Sequence, residues 1–496
     1  MAGPRTPPDP ALLEDATTGF RAGRALLVGI AAILVLIAPV PGLDLRAHHT
    51  LGILVMAGGL WITESLPVAV TALTIPLMAL VLGVTDAKGA FAGFGDPIVF
   101  LFFGTFLLTD AAARQGLTER LARAVLSSRW VLRRPGNLLW AVAWLGCGIS
   151  AWVNNTATTA MLLPLALTAE QFSNRMLTVG TLLSASYAPS LGGLATPVGT
   201  APNLIGIRLL EQATGHRPSF AAWCAVFAPL AILMTAISAG WLSWRARGAS
   251  AAPASPVPPK APPTAPGPWS HAERTLLPVF ALVILLWITP GILAATPLQG
   301  AAWLKLWQAR LPEPAVPVLG AVLLFMLPAR ARRAGESRIA VPRIQDVGAF
   351  GRIDWSTLLL FGGGLTLGAL MFETGLARWI GEGIFRAMPI HGSYGIVLAA
   401  TLMGVLVSEM TSNTASAALV VPVVLALAQA AGTDPVKPAL AATAACSFGF
   451  MLPVSTPPNA LVYGTGRIRI GEMVRQGVLL DLVGIVLVSL WVTLFG

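Results

Sequence analysis

Charge is what this chain has least of. Only 11% of its 496 residues are Asp, Glu, Lys or Arg, against 55% hydrophobic; a soluble domain carries about one quarter charged residues. The polar loops and amphipathic helices of a multi-domain soluble protein are missing, and mean hydropathy is +0.75. Cysteine is scarce too. Cys147, Cys224 and Cys446 lie in apolar surroundings, which reads as packing and excludes a disulfide framework. His48, His49, His216, His271 and His391 show no metal-ligand spacing. HExxH, GxSxG and P-loop patterns are absent, so nothing indicates an enzyme or an ATP-driven pump. Residues 1–20 are polar and Pro-rich, without the basic start, short apolar run and cleavage site of a signal peptide. Residues 1–24 are expected to form a loosely ordered cytosolic tail.

Apolar runs long enough to cross a bilayer recur along the whole length. The expectation is an all-α polytopic membrane protein with eleven transmembrane helices. They fall near 25–43, 49–63, 68–84, 98–112, 176–207, 219–243, 274–293, 314–328, 356–372, 438–463 and 473–494. Two further stretches, 138–168 and 391–429, are too long for one span, and each carries a polar motif near its middle. Non-helical backbone at membrane depth is tolerated where it lines a cavity or is buried in protein. Both stretches are therefore read as re-entrant hairpins.

The net charge of +10 does not point to nucleic acid, because the basic residues are confined to particular loops. Arg114, Arg120, Arg123, Arg129, Arg133 and Arg134 form one cluster; Arg330, Arg332, Arg333, Arg338, Arg343 and Arg352 form another. With the amino terminus inside, both clusters and 244–272 fall on the cytosolic side, as the positive-inside rule requires. The carboxyl terminus then lies outside. The expected membrane is the bacterial inner (cytoplasmic) membrane. The Pro/Ala-rich stretch 248–272 reads as an extended cytosolic linker between a first half, 25–247, and a second, 273–496.

The most telling feature is a duplicated pair of polar motifs. Trp152-Val153-Asn154-Asn155-Thr156-Ala157-Thr158-Thr159 is matched by Met410-Thr411-Ser412-Asn413-Thr414-Ala415-Ser416-Ala417. Pro197-Val198-Gly199-Thr200-Ala201-Pro202-Asn203 is matched by Pro453-Val454-Ser455-Thr456-Pro457-Pro458-Asn459. Leu101-Phe102-Phe103-Gly104 resembles Leu359-Leu360-Phe361-Gly362, and Pro164 pairs with Pro422. Five crossings separate equivalent points. Five is odd, so the two copies are expected to be inverted, with a site at the interface of the repeats.

A small carboxylate near the bilayer midplane needs donors, yet full cationic partners cost desolvation. Asn amides and Thr hydroxyls are neutral donors, and broken helices add free N–H groups and a positive dipole end. Asn155-Thr156 and Asn413-Thr414 are thus expected to grip the two ends of a dianion. Turn carbonyls and side-chain oxygens beside them suit Na+. The prolines of the second motif break the spans 176–207 and 438–463, so that Gly199, Thr200, Ser455 and Thr456 flank the hairpin tips. Glu64, Asp110 and Glu409 are weaker candidates, read first as capping, packing or water-facing acids.

At these residues the chain resembles the divalent anion–sodium symporter family of di- and tricarboxylate and sulfate transporters. The resemblance is carried by Trp61-Ile62-Thr63-Glu64-Ser65-Leu66-Pro67, by Ser412-Asn413-Thr414, and by the run from Cys446 to Val462. It implies a homodimer working by an elevator mechanism. It also implies one sodium site at Ser150, Asn154, Asn155 and Gly199, and another at Ser408, Thr411, Asn413 and Ser455. Substrate contacts would come from Asn155, Thr156, Thr200, Asn413, Thr414, Thr456 and Pro457. Members of the family carry Ser where this chain has Asn154. The resulting expectation is Na+-coupled symport of C4-dicarboxylates such as succinate, malate or fumarate, with no cofactor beyond the coupling ion. Sodium-independent exchange, sulfate transport and an anion channel are the alternatives.

Overall fold

The computed structural model describes residues 10–172, 174–247, 267–330, 341–387 and 392–496. Among these the secondary structure is helical, apart from one isolated bridge between Pro328 and Arg343. Seven described helices are long and apolar enough to cross a membrane, or eight if the bent pair Ala302–Arg310 and Ala315–Met326 counts as one. Each of the eleven expected spans is met by helix; several are short or broken, and two of sufficient length, Leu45–Thr63 and Arg175–Gly192, are less apolar. Two of the seven, Gly392–Met410 and Asn413–Ala430, are the arms of the second hairpin.

The halves correspond element by element. Pro97–Arg114 matches Trp355–Glu373. Hairpin arms Pro135–Ser150 and Asn155–Ala166 match Gly392–Met410 and Asn413–Ala430. The broken helix Arg175–Gly192/Ala201–Thr214 matches Val436–Ala445/Pro457–Gly464, and Phe220–Arg247 matches Ile470–Phe495. The copies run in opposite directions. Asp110, late in its helix, bonds Arg352 just ahead of Trp355–Glu373 at 3.0 Å. At the other end, Thr366 Oγ1 donates to the carbonyl of Ala90, ahead of Pro97, at 3.2 Å.

Packing interlocks the halves. The first arm of each hairpin lies against the first segment of its own broken helix. The return arms cross over: Asn413–Ala430 packs on Ala201–Thr214, and Asn155–Ala166 packs on Pro457–Gly464. Glycine makes this closeness possible. A Cβ on Gly192 would overlap the Cys147 backbone, and one on Gly206 would strike Thr443. The first hairpin tip is anchored by rings: Trp152 stacks on Phe220 at 6.1 Å, and Phe220 on Trp287 at 4.9 Å.

Some expectations are corrected. The first helix starts at Pro10, so 10–24 is helical rather than a loose tail. Pro202, Pro457 and Pro458 open the second segments of the broken helices. Proline is well placed there, because the first-turn N–H groups have no intrahelical acceptor. Two amphipathic helices do exist, Leu117–Leu126 and Leu376–Ala387. They bury Leu117 and Ala122, and Leu376, Ala377 and Gly381, while exposing the pairs Glu119–Arg123 and Arg378–Glu382. Cys147 and Cys446 are buried and all three cysteines are free, consistent with packing. Most of the expected linker, 248–266, and the first residue of the second hairpin stretch, 391, lie outside the described residues.

Candidate binding site between the hairpins

Each hairpin tip is built the same way. Asn154 sits at φ −48°, ψ 136°, outside the helical region, and its Oδ1 accepts from the N–H groups of Thr156 at 2.7 Å and Ala157 at 3.4 Å. Ser412 Oγ accepts from Ala415 N at 3.3 Å in the second tip. Asn and Ser are interchangeable as N-caps, so Asn154 does the job of its counterpart. Behind each cap, a serine one turn back orients the next asparagine. Ser150 Oγ donates to Asn155 Oδ1 at 2.6 Å, and Ser408 Oγ to Asn413 Oδ1 at 2.9 Å.

The breaks are pinned by a second matched pair of asparagines. Asn203 Nδ2 donates to the carbonyls of Gly193 and Thr196 at 2.9 and 2.8 Å. Asn459 Nδ2 donates to those of Gly449 and Leu452 at 2.8 and 2.9 Å. These amides supply the donors that unwound backbone inside a membrane protein needs. Each break is also tied to its hairpin: Thr196 Oγ1 donates to Ala151 O at 2.5 Å, and Ser455 Oγ to Glu409 O at 3.1 Å.

The two tips face one cavity of about 290 Å³, near the small end of ligand pockets at ~300–1,000 Å³. Asn155, Thr156, Thr200, Asn413, Thr414, Thr456 and Pro457, the whole expected substrate set, line it. Of the expected cation ligands, Asn154, Asn155, Gly199 and Asn413 reach its wall, while Ser150, Ser408, Thr411 and Ser455 sit buried behind it. Thr411 Oγ1 is turned to Trp61 O at 3.1 Å, which seats the Trp61–Pro67 turn against the second hairpin. Among the described residues, no Lys, Arg or His lines the cavity. Helix ends supply partial positive charge there. The helices opening at Asn155, Ala201, Asn413 and Pro457 all start at its wall; at about half an elementary charge each, their dipoles sum to roughly two positive charges.

Oxygens gather behind each asparagine. A Cβ on Gly193 would lie 2.8 Å from Asn155 Oδ1 and 3.2 Å from Gly199 O. A Cβ on Gly449, its counterpart, would lie 3.2 Å from Ser408 O and 3.5 Å from Asn413 Oδ1. These niches match a small hard cation in donor type, and a Cβ would crowd the first more than the second.

The weaker candidates resolve into structural roles. Glu64 holds the left-handed turn position, φ 48°, that ends its helix. Asp110 pairs with Arg352. Glu409 does not face water: it is buried and accepts from Met451 N at 2.8 Å and Ser455 Oγ at 2.6 Å. Sequence reasoning missed the remaining walls: Phe102, Thr105, Phe106 and Thr109 on one helix, Asp354, Ser356, Thr357 and Leu360 on its counterpart, and Val68 opening a third helix. The repeat match of Leu101–Gly104 with Leu359–Gly362 was the available signal.

The family description "Sodium:sulfate symporter transmembrane region" matches residues 21–496. The chain belongs to this family, the divalent anion–sodium symporters. A transporter of Haemophilus influenzae is 31% identical over 475 residues, covering 94% of this chain and 95% of its own. The sodium-dependent dicarboxylate transporter SdcS of Staphylococcus saprophyticus is 30% identical, covering 87% and 82%; SdcS of Staphylococcus aureus is 28% identical, covering 90% and 85%. In fold, the YdaH transporter of Alcanivorax borkumensis superposes with a TM-score of 0.55 at 16% identity, covering 84% of this chain and 89% of its own. MtrF of Neisseria gonorrhoeae gives 0.54 at 15%, covering 96% and 94%. The protein is an integral membrane transporter of this family.

Proposed function

We propose that the protein is a secondary active transporter that couples Na+ to the movement of small divalent anions, C4-dicarboxylates first among them. One observation carries the reading: Asn155-Thr156 and Asn413-Thr414 line a single cavity with no cationic side chain among the described residues, at the N-termini of the helices opening at Asn155, Ala201, Asn413 and Pro457. Neutral donors and helix dipoles attract a dianion without the desolvation cost of buried ion pairs. Bound sodium ions in the niches at Gly193 and Gly449 neutralise the anion and link the two affinities. Asn154 does not weaken the first niche, because its amide oxygen is committed to the cap as the Ser412 hydroxyl is. The SdcS relatives, named for sodium-dependent dicarboxylate transport, support this substrate class.

The cavity lies toward the molecular end that carries Arg114, Arg352 and Asp346, since its walls are Thr105 and Thr109 late in one helix and Asp354–Thr357 at the start of its antiparallel partner. With those arginines cytosolic, the amino terminus is inside, the carboxyl terminus outside, and this conformation faces inward. Transport then proceeds as an elevator, the hairpins and broken helices moving against the remaining helices, in a homodimer.

The test is uptake of labelled succinate into proteoliposomes with and without an inward Na+ gradient, with sulfate and citrate as competitors. Saturable, sodium-dependent accumulation is expected, lost in Asn155→Ala and Asn413→Ala proteins that still fold. Uptake that ignores sodium and needs internal dicarboxylate refutes symport in favour of exchange. Flux that neither saturates nor accumulates identifies a channel.

A further inference from the structure

We infer that Asp354 is a charge filter, whose fixed carboxylate limits the net charge of the anion the cavity accepts. The inference rests on the anion-binding reading above and deepens it. Asp354 is an acidic side chain in the wall of a cavity assigned to anions. It is held in place, Oδ1 accepting from Thr357 N at 3.1 Å and Oδ2 from Thr357 Oγ1 at 2.6 Å. Among the described residues no ion pair is made to it. The arginine nearest in sequence, Arg352, is turned to Asp110 at 3.0 Å and Asp346 at 3.3 Å.

The inverted repeat supplies the control. The counterpart of Asp354 is Asp96, which likewise caps its helix, accepting from Ile98 N at 3.0 Å. Asp96, however, is neutralised by Arg208 at 2.7 Å. In the alignment that pairs Asn203 with Asn459, the position matching Arg208 is Gly464. Among the described residues, one copy of the acid is thus cancelled and the other left without a cationic partner in the anion chamber. Capping does not require that charge. Asn154, Ser412 and Thr456 cap neighbouring helices while neutral, and Asn caps as well as Asp.

Repulsion from a fixed charge scales with the charge of the ligand. If removing it tightens a dianion about fivefold, a trianion at the same distance tightens by the three-halves power, about elevenfold. The dianion-over-trianion preference therefore falls about twofold, and the effect shrinks at high ionic strength.

The experiment measures binding of succinate and of citrate to the purified full chain by calorimetry, in alkaline buffer at fixed Na+, for the unmodified protein, Asp354→Asn and Asp354→Ser. Both substitutions keep an N-cap, so both proteins fold. Tighter binding of both anions, citrate gaining more, is expected in both variants. An unchanged succinate-to-citrate ratio overturns the filter. Weaker succinate binding in both variants also overturns it, and assigns Asp354 to holding a cation that accompanies the substrate. An unmodified protein that binds neither anion ends the anion-site reading itself, which separates that failure from failure of the filter.

Discussion

Replacing Gly193 by alanine tests whether the niche behind Asn155 works as a cation site. The new Cβ would stand 2.8 Å from Asn155 Oδ1, 3.0 Å from Thr200 Cβ and 3.2 Å from Gly199 O. The first of these is well inside contact distance, and Asn155 cannot swing away freely, since Ser150 Oγ holds it at 2.6 Å. Overpacking of this kind costs about 1–3 kcal/mol, and the loss of one hydrogen bond about 0.5–1.5 kcal/mol of that. If the strain falls on the ligand geometry, cation affinity drops by about tenfold for each 1.4 kcal/mol. Gly449→Ala makes an internal comparison. Its Cβ meets Ser455 Cβ at 3.1 Å, Ser408 O at 3.2 Å and Asn413 Oδ1 at 3.5 Å, tolerable with a few tenths of an ångström of adjustment. The assay is the Na+ activation curve of succinate uptake in proteoliposomes, with detergent-extracted protein checked for a single chromatographic peak. Half-saturating Na+ is expected to rise about tenfold or more in Gly193→Ala, and less in Gly449→Ala. A folded Gly193→Ala protein with an unchanged activation curve would refute the reasoning.

Three further expectations concern the frame around the site. Asn203→Ala and Asn459→Ala each strip two break carbonyls of their donor, at about 1–3 kcal/mol per buried group left unsatisfied; thermal midpoints should fall in both, more for Asn459, whose Oδ1 also accepts from Ser186 at 2.6 Å. Arg208→Met leaves the largely buried Asp96 carboxylate without its cation, a loss of about 3–5 kcal/mol, and adding Asp96→Asn should restore most of the melting temperature. Asn154→Ser should transport like the parent, because serine caps equally well, whereas Asn154→Ala should lose about 1 kcal/mol of stability; uptake assays and melting curves read both.

Much of this arrangement was visible in the chain because membranes make polarity expensive. An Asn-Thr pair with a nearby proline cannot hide in lipid, so Asn155 and Asn413 and the breaks at Gly199 and Ser455 stood out, and their common spacing revealed the repeat. The cap at Asn154 was harder to see. An asparagine in place of the family's serine reads as an altered cation ligand until its oxygen is found on Thr156 N. Thr105 and Thr109 gave no signal of their own beyond the repeat match of their helix, because threonines in apolar helices bond their own backbone, as Thr105 does to Leu101 O at 2.8 Å. Asp354 was passed over for a related reason: an acid just ahead of a helix is an ordinary cap, and only the shared cavity gives it a second meaning.

The most direct measurement is an experimental structure with succinate and sodium bound. The account requires one carboxylate of the ligand at Asn155-Thr156, the other at Asn413-Thr414, and ions behind each asparagine. Ligand density at one tip only, or in a chamber that excludes either asparagine, would contradict it.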